Sequence, residues 1–460
     1  MTRDSNIAIV LPLGVSADAV GAARQSLAPA SVGQFPRNSA PFSALVPNGC
    51  RLRPDFIASV TEAMTDADTD TCCYTDFAVG GVDVHVGDWS AERARWQHWT
   101  GPVMVVPTAA LADGDPLIDA PRRSQDVRHV SRVLVDTARD DLRELTDPDR
   151  ARFLPRLPYR LAGPGEAPTR ELARMPDRSL VIPTRGGTGE LGGRPVRWVD
   201  HCLDSLGQLL DDPGLDLVLV MDQDTGQDFL APWAARLGDR LTILRMPGPF
   251  NFATRVNAGV SAARGEIVAL LNDDTAAVRG DWLSQLTAVA MEPDVGAAGA
   301  LLLYEDGSVQ HRGHAFAGGG VHLIDRGGDL HDRGPRSRNA CDRDVTGVTG
   351  ACLVQRADVW HRMGGLDPAF PIAFNDVDYT ERLRRAGLRI VLCNSAVLYH
   401  YESRSRPGDA TPAAVDLLRS RWSDSLDSPD PFTPDMRGFV PSVRDRLRAK
   451  LSRWRREHAP

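Results

Sequence analysis

Residues 267–275 read IVALLNDDT, an unbroken apolar run that ends abruptly on Asn272, Asp273 and Asp274. A short run without polar alternation fits a strand covered on both faces, as in a parallel sheet. Three similar runs precede it: SLVIPT at 179–184, LDLVLVMD at 215–222 and LTILRM at 241–246. Helical patterns lie between them, at 196–210 and from about Phe252 to Ala263. This alternation predicts an α/β sheet of parallel strands with right-handed crossovers. Two of the strands end on acids, Asp222 and Asp274, on what should be one edge. Open α/β sheets bind ligands beyond the carboxyl ends of their strands. Adjacent carboxylates repel unless a cation separates them, so the Asn272–Asp274 end fits a divalent ion carrying a diphosphate. It fits equally well an Asx-rich turn ahead of a helix that starts near Trp282.

A chain of 460 residues is long enough for two or three domains. The formal net charge of −8 gives no nucleic-acid footprint. Seven cysteines, at 50, 72, 73, 202, 341, 352 and 393, are scattered and form no CxxC pair. They read as reduced thiols of a cytoplasmic protein, neither a disulfide frame nor a zinc site. The first apolar run, in MTRDSNIAIVLPLGV, is too short and too proline-broken for a signal peptide. No stretch reaches the ~18 apolar residues that a membrane span needs. Residues 146–178 are rich in proline and charge and read as a linker between a domain at 1–145 and one at 179–403. Residues 325–343 read as a mobile loop, and 404–442 as a segment wrapping the surface. Within the extension 404–460, a helix at 442–458 sets Val443, Leu447, Leu451 and Trp454 opposite a strongly basic face. It fits peripheral contact with the inner face of an anionic plasma membrane, or docking on the body with that basic face solvated.

Further segments carry chemistry in a fixed order. They are NFATRVNAG (251–259), LLNDDT (270–275), DGSVQHRG (306–313), TGACLVQR (349–356), GGLDPAF (364–370), NDVDY (375–379) and HYESRSR (400–406). With the Pro-Thr-Arg strand at 183–185 and the strand ending at Asp222, this ordered set resembles a family 2 glycosyltransferase with the GT-A fold. The resemblance covers 179–435 and lies with the rhamnosyltransferase-like and O-antigen biosynthesis subgroup. It implies a Rossmann-like mixed α/β sheet of the nucleotide-diphospho-sugar transferase type. It also implies inverting transfer from a UDP-, dTDP- or GDP-sugar to a glycan or lipid-linked glycan of the cell surface or wall, assisted by Mn²⁺ or Mg²⁺.

The resemblance implies site residues as well. Asp222 would accept a hydrogen bond from a base imide N–H, with Pro183, Thr184, Arg185, Arg255 and Asn257 bordering the same pocket. Asn257 fits a local helix role equally well. The family's D-x-D reads Asn272-Asp273-Asp274 here, so an amide replaces the first carboxylate, and Asp274 remains as a metal ligand with His400. Asp376 would be the general base, or else only the cap of the helix that follows. Asp378, His311 and Ser403 would lie on the acceptor or donor-sugar side. Trp282 and Trp360 read as core. A non-catalytic glycan- or nucleotide-binding subunit is the alternative. A nucleotidyltransferase would need a Gly- and Lys-rich activation loop that the sequence lacks.

The first half resembles a worn copy of the second. ALVPNGCRLRPDFIASVTEAM (44–64) can be laid over LLNDDTAAVRGDWLSQLTAVA (270–290), matching Leu45 with Leu271, Asp55 with Asp281 and Phe56 with Trp282. In the copy Pro47-Asn48-Gly49-Cys50 replaces the acids, and VSRVLVDT (130–137) resembles the last strand with Asp136 in place of the histidine. Only about 40 residues precede the worn motif, so the nucleotide-binding strands should be mostly missing. The expectation is a smaller, degenerate, non-catalytic α/β domain of GT-A type. An unrelated α/β domain with chance similarity is the competing reading.

Overall fold

The computed structural model describes residues 7–11, 31–34, 41–47, 50–112, 116–138, 143–144, 159–162, 169–401 and 410–434. Ser403, the basic helix at 442–458 and most of the segment 146–168 lie outside these residues. The chain divides into two compact units. One is Met1–Arg150 with Pro431–Asp435, and the other is Ala151–Asp430 with Met436–Pro460.

The second unit is built on a ten-stranded mixed sheet. Its strands are β1 (Arg178–Thr184), β2 (Leu215–Asp222), β3 (Leu241–Met246), β4 (Ile267–Leu271), β5 (Thr275–Ala277), β6 (Val295–Leu303), β7 (Val309–His311), β8 (Arg343–Asp344), β9 (Cys352–Arg356) and β10 (Arg389–His400). The order is β3-β2-β1-β4-β9-β6-β10-β5, with β7 added to β6 and β8 to β10. Strands β3, β2, β1 and β4 run parallel. Strand β9 is antiparallel to both of its neighbours, β4 and β6. The observed sheet is the mixed α/β architecture that the resemblance implies.

The helices are α1 (Trp198–Leu206), α2 (Leu230–Leu237), α3 (Phe252–Ala262), α4 (Trp282–Ala290), α5 (Ala357–Met363), α6 (Asn375–Arg385) and α7 (Pro412–Asp427). They cover both faces of the sheet, which is why its strands are apolar throughout. Leu180, Ile182, Leu217, Leu219, Ile267 and Ala269 pack with α1, α2 and α4 on one face. Their neighbours Val181, Val218, Val220, Val268 and Leu270 pack with α3, Trp360 and Tyr379 on the other. Successive side chains of a strand point to opposite faces, so each run feeds two cores. Helix α3 lies close because Gly259 faces the sheet, where a Cβ would fall 2.4 Å from Val181 Cγ1. Trp282 and Trp360 are core residues.

Two segments are more ordered than their composition suggests. In 325–343, Asp325 accepts from Asn339 Nδ2 at 2.8 Å and Arg338 Nη2 at 3.3 Å, and Asp342 accepts from the Asn394 amide at 2.6 Å. These carboxylate bonds tie the segment down where a mobile loop is expected. Within 404–442, residues 412–427 form α7, capped by Thr411, whose hydroxyl accepts from the Ala414 amide.

The first unit repeats the sheet of the second. Strand 7–11 runs parallel to 31–34 and to 42–45, as β1 does to β2 and β4. Strand 104–107 is antiparallel to both 42–45 and 72–79, as β9 is to β4 and β6. Strand 127–137 is parallel to 72–79 and antiparallel to 50–52, as β10 is to β6 and β5. The helix Phe56–Ala63 follows as α4 does, and Asp55 and Asp281 hold the same position ahead of it. Counterparts of β1 and β2 are therefore present, which corrects the expectation that the nucleotide-binding strands are mostly missing. Among the described residues only β3 and β8 lack an equivalent. Ladder register also corrects one residue: His400 faces Thr275, the first residue of β5, whereas Asp136 faces Arg51, the second residue of its partner strand, so Asp136 does not hold the place of the histidine. Asp136 instead pairs with Arg53 at 2.9 Å and Arg51 at 3.3 Å.

The first unit buries an acid–imidazole chain of its own. Asp76 accepts from the Val86 amide at 3.0 Å and lies 2.7 Å from His85 Nδ1 and 2.9 Å from His129 Nε2. The other His129 nitrogen, Nδ1, lies 3.0 Å from Asp88. Carboxylates only accept, so both bonds require a ring carrying two protons. Burial alone would push the His129 pKa down, but Asp76 and Asp88 overcome it and raise it above the ordinary value. Burial would raise the Asp76 pKa, but its two histidines bring it below the usual carboxylate range.

Two predictions follow from this packing. Gly259→Val should lower unfolding free energy by about 1–3 kcal/mol through overpacking, read by urea denaturation, with an unchanged value counting against close α3 packing. A raised histidine pKa stabilises fully below the unfolded value of about 6.5 and is lost as pH rises through the folded value. The melting temperature of the first unit should therefore fall as pH rises above 6.5, and His129→Gln should flatten that fall. The lowered Asp76 pKa adds the opposite slope only as pH drops below about 4.

Candidate active site

The carboxyl edge of the parallel strands gathers many of the polar residues singled out above. Pro183 lies within β1 beside Val220, one residue before the strand ends at Thr184. The Thr184 hydroxyl donates to Asp273 Oδ2 at 2.6 Å and accepts from the Gly186 amide at 3.0 Å. This fixes Asp273 across the β1–β4 gap. Asp222, at the end of β2, lies between two guanidinium groups. Arg255 Nη2 reaches its Oδ1 at 2.9 Å, and Arg185 Nε reaches its Oδ2 at 3.2 Å. Arg255 is buried and also donates to the carbonyls of Met246 and Gly248, so it ties β2 to the end of β3. Arg185 is mostly exposed, and its Asp222 contact is the one open to solvent.

Asn257 serves a different purpose. Its Nδ2 donates to the Leu366 carbonyl at 2.7 Å and its Oδ1 accepts from the Leu366 amide at 2.9 Å. The side chain mimics a strand partner and holds the GGLDP turn against α3. Gly365 permits the approach: its φ is +69°, and a Cβ there would meet Asn257 Oδ1 at 2.4 Å.

Asn272, Asp274 and His400 come together where β4 and β5 meet the end of β10. His400 Nε2 lies 3.2 Å from Asp274 Oδ1 and 3.3 Å from Asn272 Nδ2, and its Nδ1 lies 2.7 Å from Gln310 Oε1. Among the described residues, no three His, Cys, Asp or Glu side chains form a preformed metal cage. The pair Asp274–His400 nevertheless fits one edge of an octahedral ion, whose neighbouring ligands at about 2.1 Å lie roughly 3 Å apart. Such ions commonly take one or two protein ligands and complete their shell with water and substrate phosphates. The amide of Asn272 adds a hydrogen-bond donor at this point and no charge.

Asp376 is the second residue of α6. Its Oδ2 accepts from the Gly350 amide at 3.0 Å and its Oδ1 from the Val377 amide at 2.9 Å. The capping position belongs to Phe374, held at φ +65° in the left-handed region. A bulky residue there is an outlier that the surroundings must enforce. Asp378, two residues on, is fully buried. It accepts from Arg382 Nε at 2.9 Å, Arg421 Nη1 at 3.2 Å and Trp422 Nε1 at 3.0 Å. Its carboxylate joins α6 to α7, a commitment at odds with an acceptor- or sugar-side role. The i,i+4 spacing of Asp378 and Arg382 was a readable signal; Arg421 and Trp422 are too distant in sequence to be found that way.

His311 is buried, and burial first, then His314, pushes its pKa down to about 3. The Gly313 amide donates to its Nδ1 at 3.3 Å, so the ring is neutral with its proton on Nε2. That N–H has no partner among the described residues. Asp376 and His400 are both close enough to act on its ionisation. Burial raises the Cys72, Cys73 and Cys202 thiols to about 12, which disfavours them as nucleophiles, and none of the seven cysteines is in a disulfide.

Comparison with known proteins bears on the family. Residues 199–425 match the family described as glycosyltransferase like family 2. An uncharacterised protein, y4gI, of Sinorhizobium fredii is 38% identical over 235 residues, covering 48% of this chain and 25% of that protein. The O-antigen biosynthesis protein RfbC of Myxococcus xanthus is 34% identical over 217 residues, 46% of this chain and 17% of its own length. An N-acetylglucosaminyl-diphospho-decaprenol L-rhamnosyltransferase of Mycobacterium tuberculosis is 28% identical over 152 residues, 31% of this chain and 49% of that enzyme. The chain thus spans a quarter or less of the first two relatives and about half of the third. With the mixed α/β sheet and its polar carboxyl edge, these matches establish that the chain carries a family 2 glycosyltransferase domain.

Proposed function

We propose that this chain transfers a sugar, with inversion, from a nucleotide-diphosphate donor to a cell-surface glycan acceptor, using Asp376 as general base. One observation carries the reading. The turn at 349–351 holds Asp376 through the Gly350 amide and holds Asn272 through the Ala351 carbonyl, 3.0 Å from the Asn272 amide. The carboxylate proposed as base and the strand end proposed to face the diphosphate are thus held by adjacent residues of one turn.

The chemistry that this supports is a displacement at the anomeric carbon. Asp376 takes the proton of the acceptor hydroxyl as the hydroxyl oxygen bonds to that carbon. The bond from the carbon to the diphosphate oxygen breaks, and its electron pair leaves with the diphosphate. Asp274 and His400 would hold a Mn²⁺ or Mg²⁺ ion, which supplies charge neutralisation to the leaving diphosphate. Thr184 keeps Asp273 in place, and Arg185 and Asp222 border the donor pocket. The rhamnosyl and O-antigen names of the relatives support a surface-polysaccharide acceptor, with a UDP-, dTDP- or GDP-sugar as donor.

Asp376→Asn should cut transfer by about 10²–10⁴-fold, the usual worth of a general base, while nucleotide binding persists. The measurement is release of nucleoside diphosphate from UDP-, dTDP- and GDP-sugars with Mn²⁺ and a glycan acceptor. Full activity in the variant would remove Asp376 as base. Nucleotide or glycan binding without turnover by the parent protein would point instead to a non-catalytic binding subunit.

A further inference from the structure

The strand β7 pairs with β6 irregularly. Leu302 faces His311 and Leu303 faces Val309, so one step along β6 spans two along β7. Gln310 is the extra residue of this β-bulge, a feature that re-aims a side chain. Gln310 is buried, and its amide makes two bonds to a single residue. Its Nε2 donates to the His400 carbonyl at 3.0 Å, and its Oε1 lies 2.7 Å from His400 Nδ1.

These two bonds determine a proton position. A carbonyl oxygen only accepts, so the NH₂ end of Gln310 must face it and the oxygen end must face the ring. His400 Nδ1 therefore carries a proton. In the neutral ring the other nitrogen, Nε2, is then an acceptor. It sits 3.3 Å from the Asn272 amide nitrogen and 3.2 Å from Asp274 Oδ1. A nitrogen lone pair beside a carboxylate oxygen is an arrangement that a cation resolves. Hydrogen bonding at the far nitrogen of a histidine is the usual means of presenting the near one to a metal.

We propose that Gln310 is a positioning residue: it locks His400 in the Nδ1–H tautomer and so keeps Nε2 available, with Asp274, to a divalent cation. This rests on the metal-assisted reading above. Without Gln310 the ring can place its proton on Nε2, donate to Asp274 and withdraw both atoms from the cation.

The test is titration of the full chain with Mn²⁺, alone and with UDP, dTDP or GDP, read by electron paramagnetic resonance of free Mn²⁺. Gln310→Leu should weaken binding by about 10–100-fold, as loss of an outer-shell partner does. Gln310→Glu, which still offers an acceptor to Nδ1, should recover most of it. Nitrogen-15 NMR of the unmutated protein should show His400 protonated at Nδ1 and not at Nε2, and this readout stands even if a variant fails to fold. Protonation at Nε2 alone would overturn the proposal, as would unchanged Mn²⁺ affinity in a Gln310→Leu protein that melts like the parent. His400→Ala separates the two levels. If it binds Mn²⁺ like the parent, the metal-assisted reading itself fails. If it loses Mn²⁺ while Gln310→Leu does not, only the role of Gln310 fails.

Discussion

The hydrogen bond from the Asn272 amide to the Ala351 carbonyl, at 3.0 Å, sets the geometry of the second unit's site. It closes the ladder between β4 and the antiparallel β9 at the point where β4 ends. Everything polar nearby is referenced to it. Upstream of Ala351, the Gly350 amide takes the Asp376 carboxylate; downstream of Asn272, Asp273 meets Thr184 and Asp274 meets His400. An all-parallel sheet would have no strand beginning beside the end of β4. The reversed β9 puts a turn there, and a turn can offer backbone donors to a neighbouring helix where a strand interior cannot. The mixed character of the sheet is therefore what lets a helix residue and a strand-end residue share one frame.

Much of this was legible from sequence, for a physical reason. A strand with cores on both faces must be apolar until it leaves the sheet, so the first polar residues mark the edge where ligands bind. That places Thr184, Asp222, Asp273 and Asp274 without a structure. What was not legible concerns commitments between distant residues. Asn257 and Asp378 look like pocket residues by their motifs. Asn257 is spent on the Leu366 backbone, and Asp378 on Arg382, Arg421 and Trp422. Asp222 was readable as a strand-end acid, but not as the partner of both Arg185 and the buried Arg255. Such pairings depend on which loops fold back over the edge, and local pattern holds no record of that. Gln310 was hidden for another reason: a bulge reverses the facing that alternation along a strand would assign.

The first unit separates what the fold needs from what the site needs. It keeps the strand order and directions of the second and the same helix after the short crossing strand. Yet in place of the acids of Asn272–Asp274 its sequence reads Pro47, Asn48, Gly49 and Cys50. The sheet survives because its stability lies in cross-strand ladders and in buried side chains such as Phe56, Phe77 and Trp99, none of which involves the carboxyl edge. Its strongest polar cluster, Asp76 with His85 and His129, sits among its own strands and is internally satisfied. Loss of acids from an edge costs a fold nothing, because unneutralised acids there are a source of repulsion.

The same repulsion bears on Asn272. A carboxylate at 272 would add a third negative group to Asp273 and Asp274, beside a histidine that carries charge only when doubly protonated. The amide removes that charge and offers a donor to His400 Nε2. On the proposed reading, the protein part of the cation site is then one carboxylate and one imidazole. That pair leaves much of a 2+ charge unbalanced and several coordination positions open. The balance must come from the substrate diphosphate, so cation and nucleotide sugar would reinforce each other's binding, and the protein alone would hold either one weakly. With so few protein ligands, the orientation of each counts for more. That gives a physical reason for both ends of a buried glutamine amide to be bonded to one histidine.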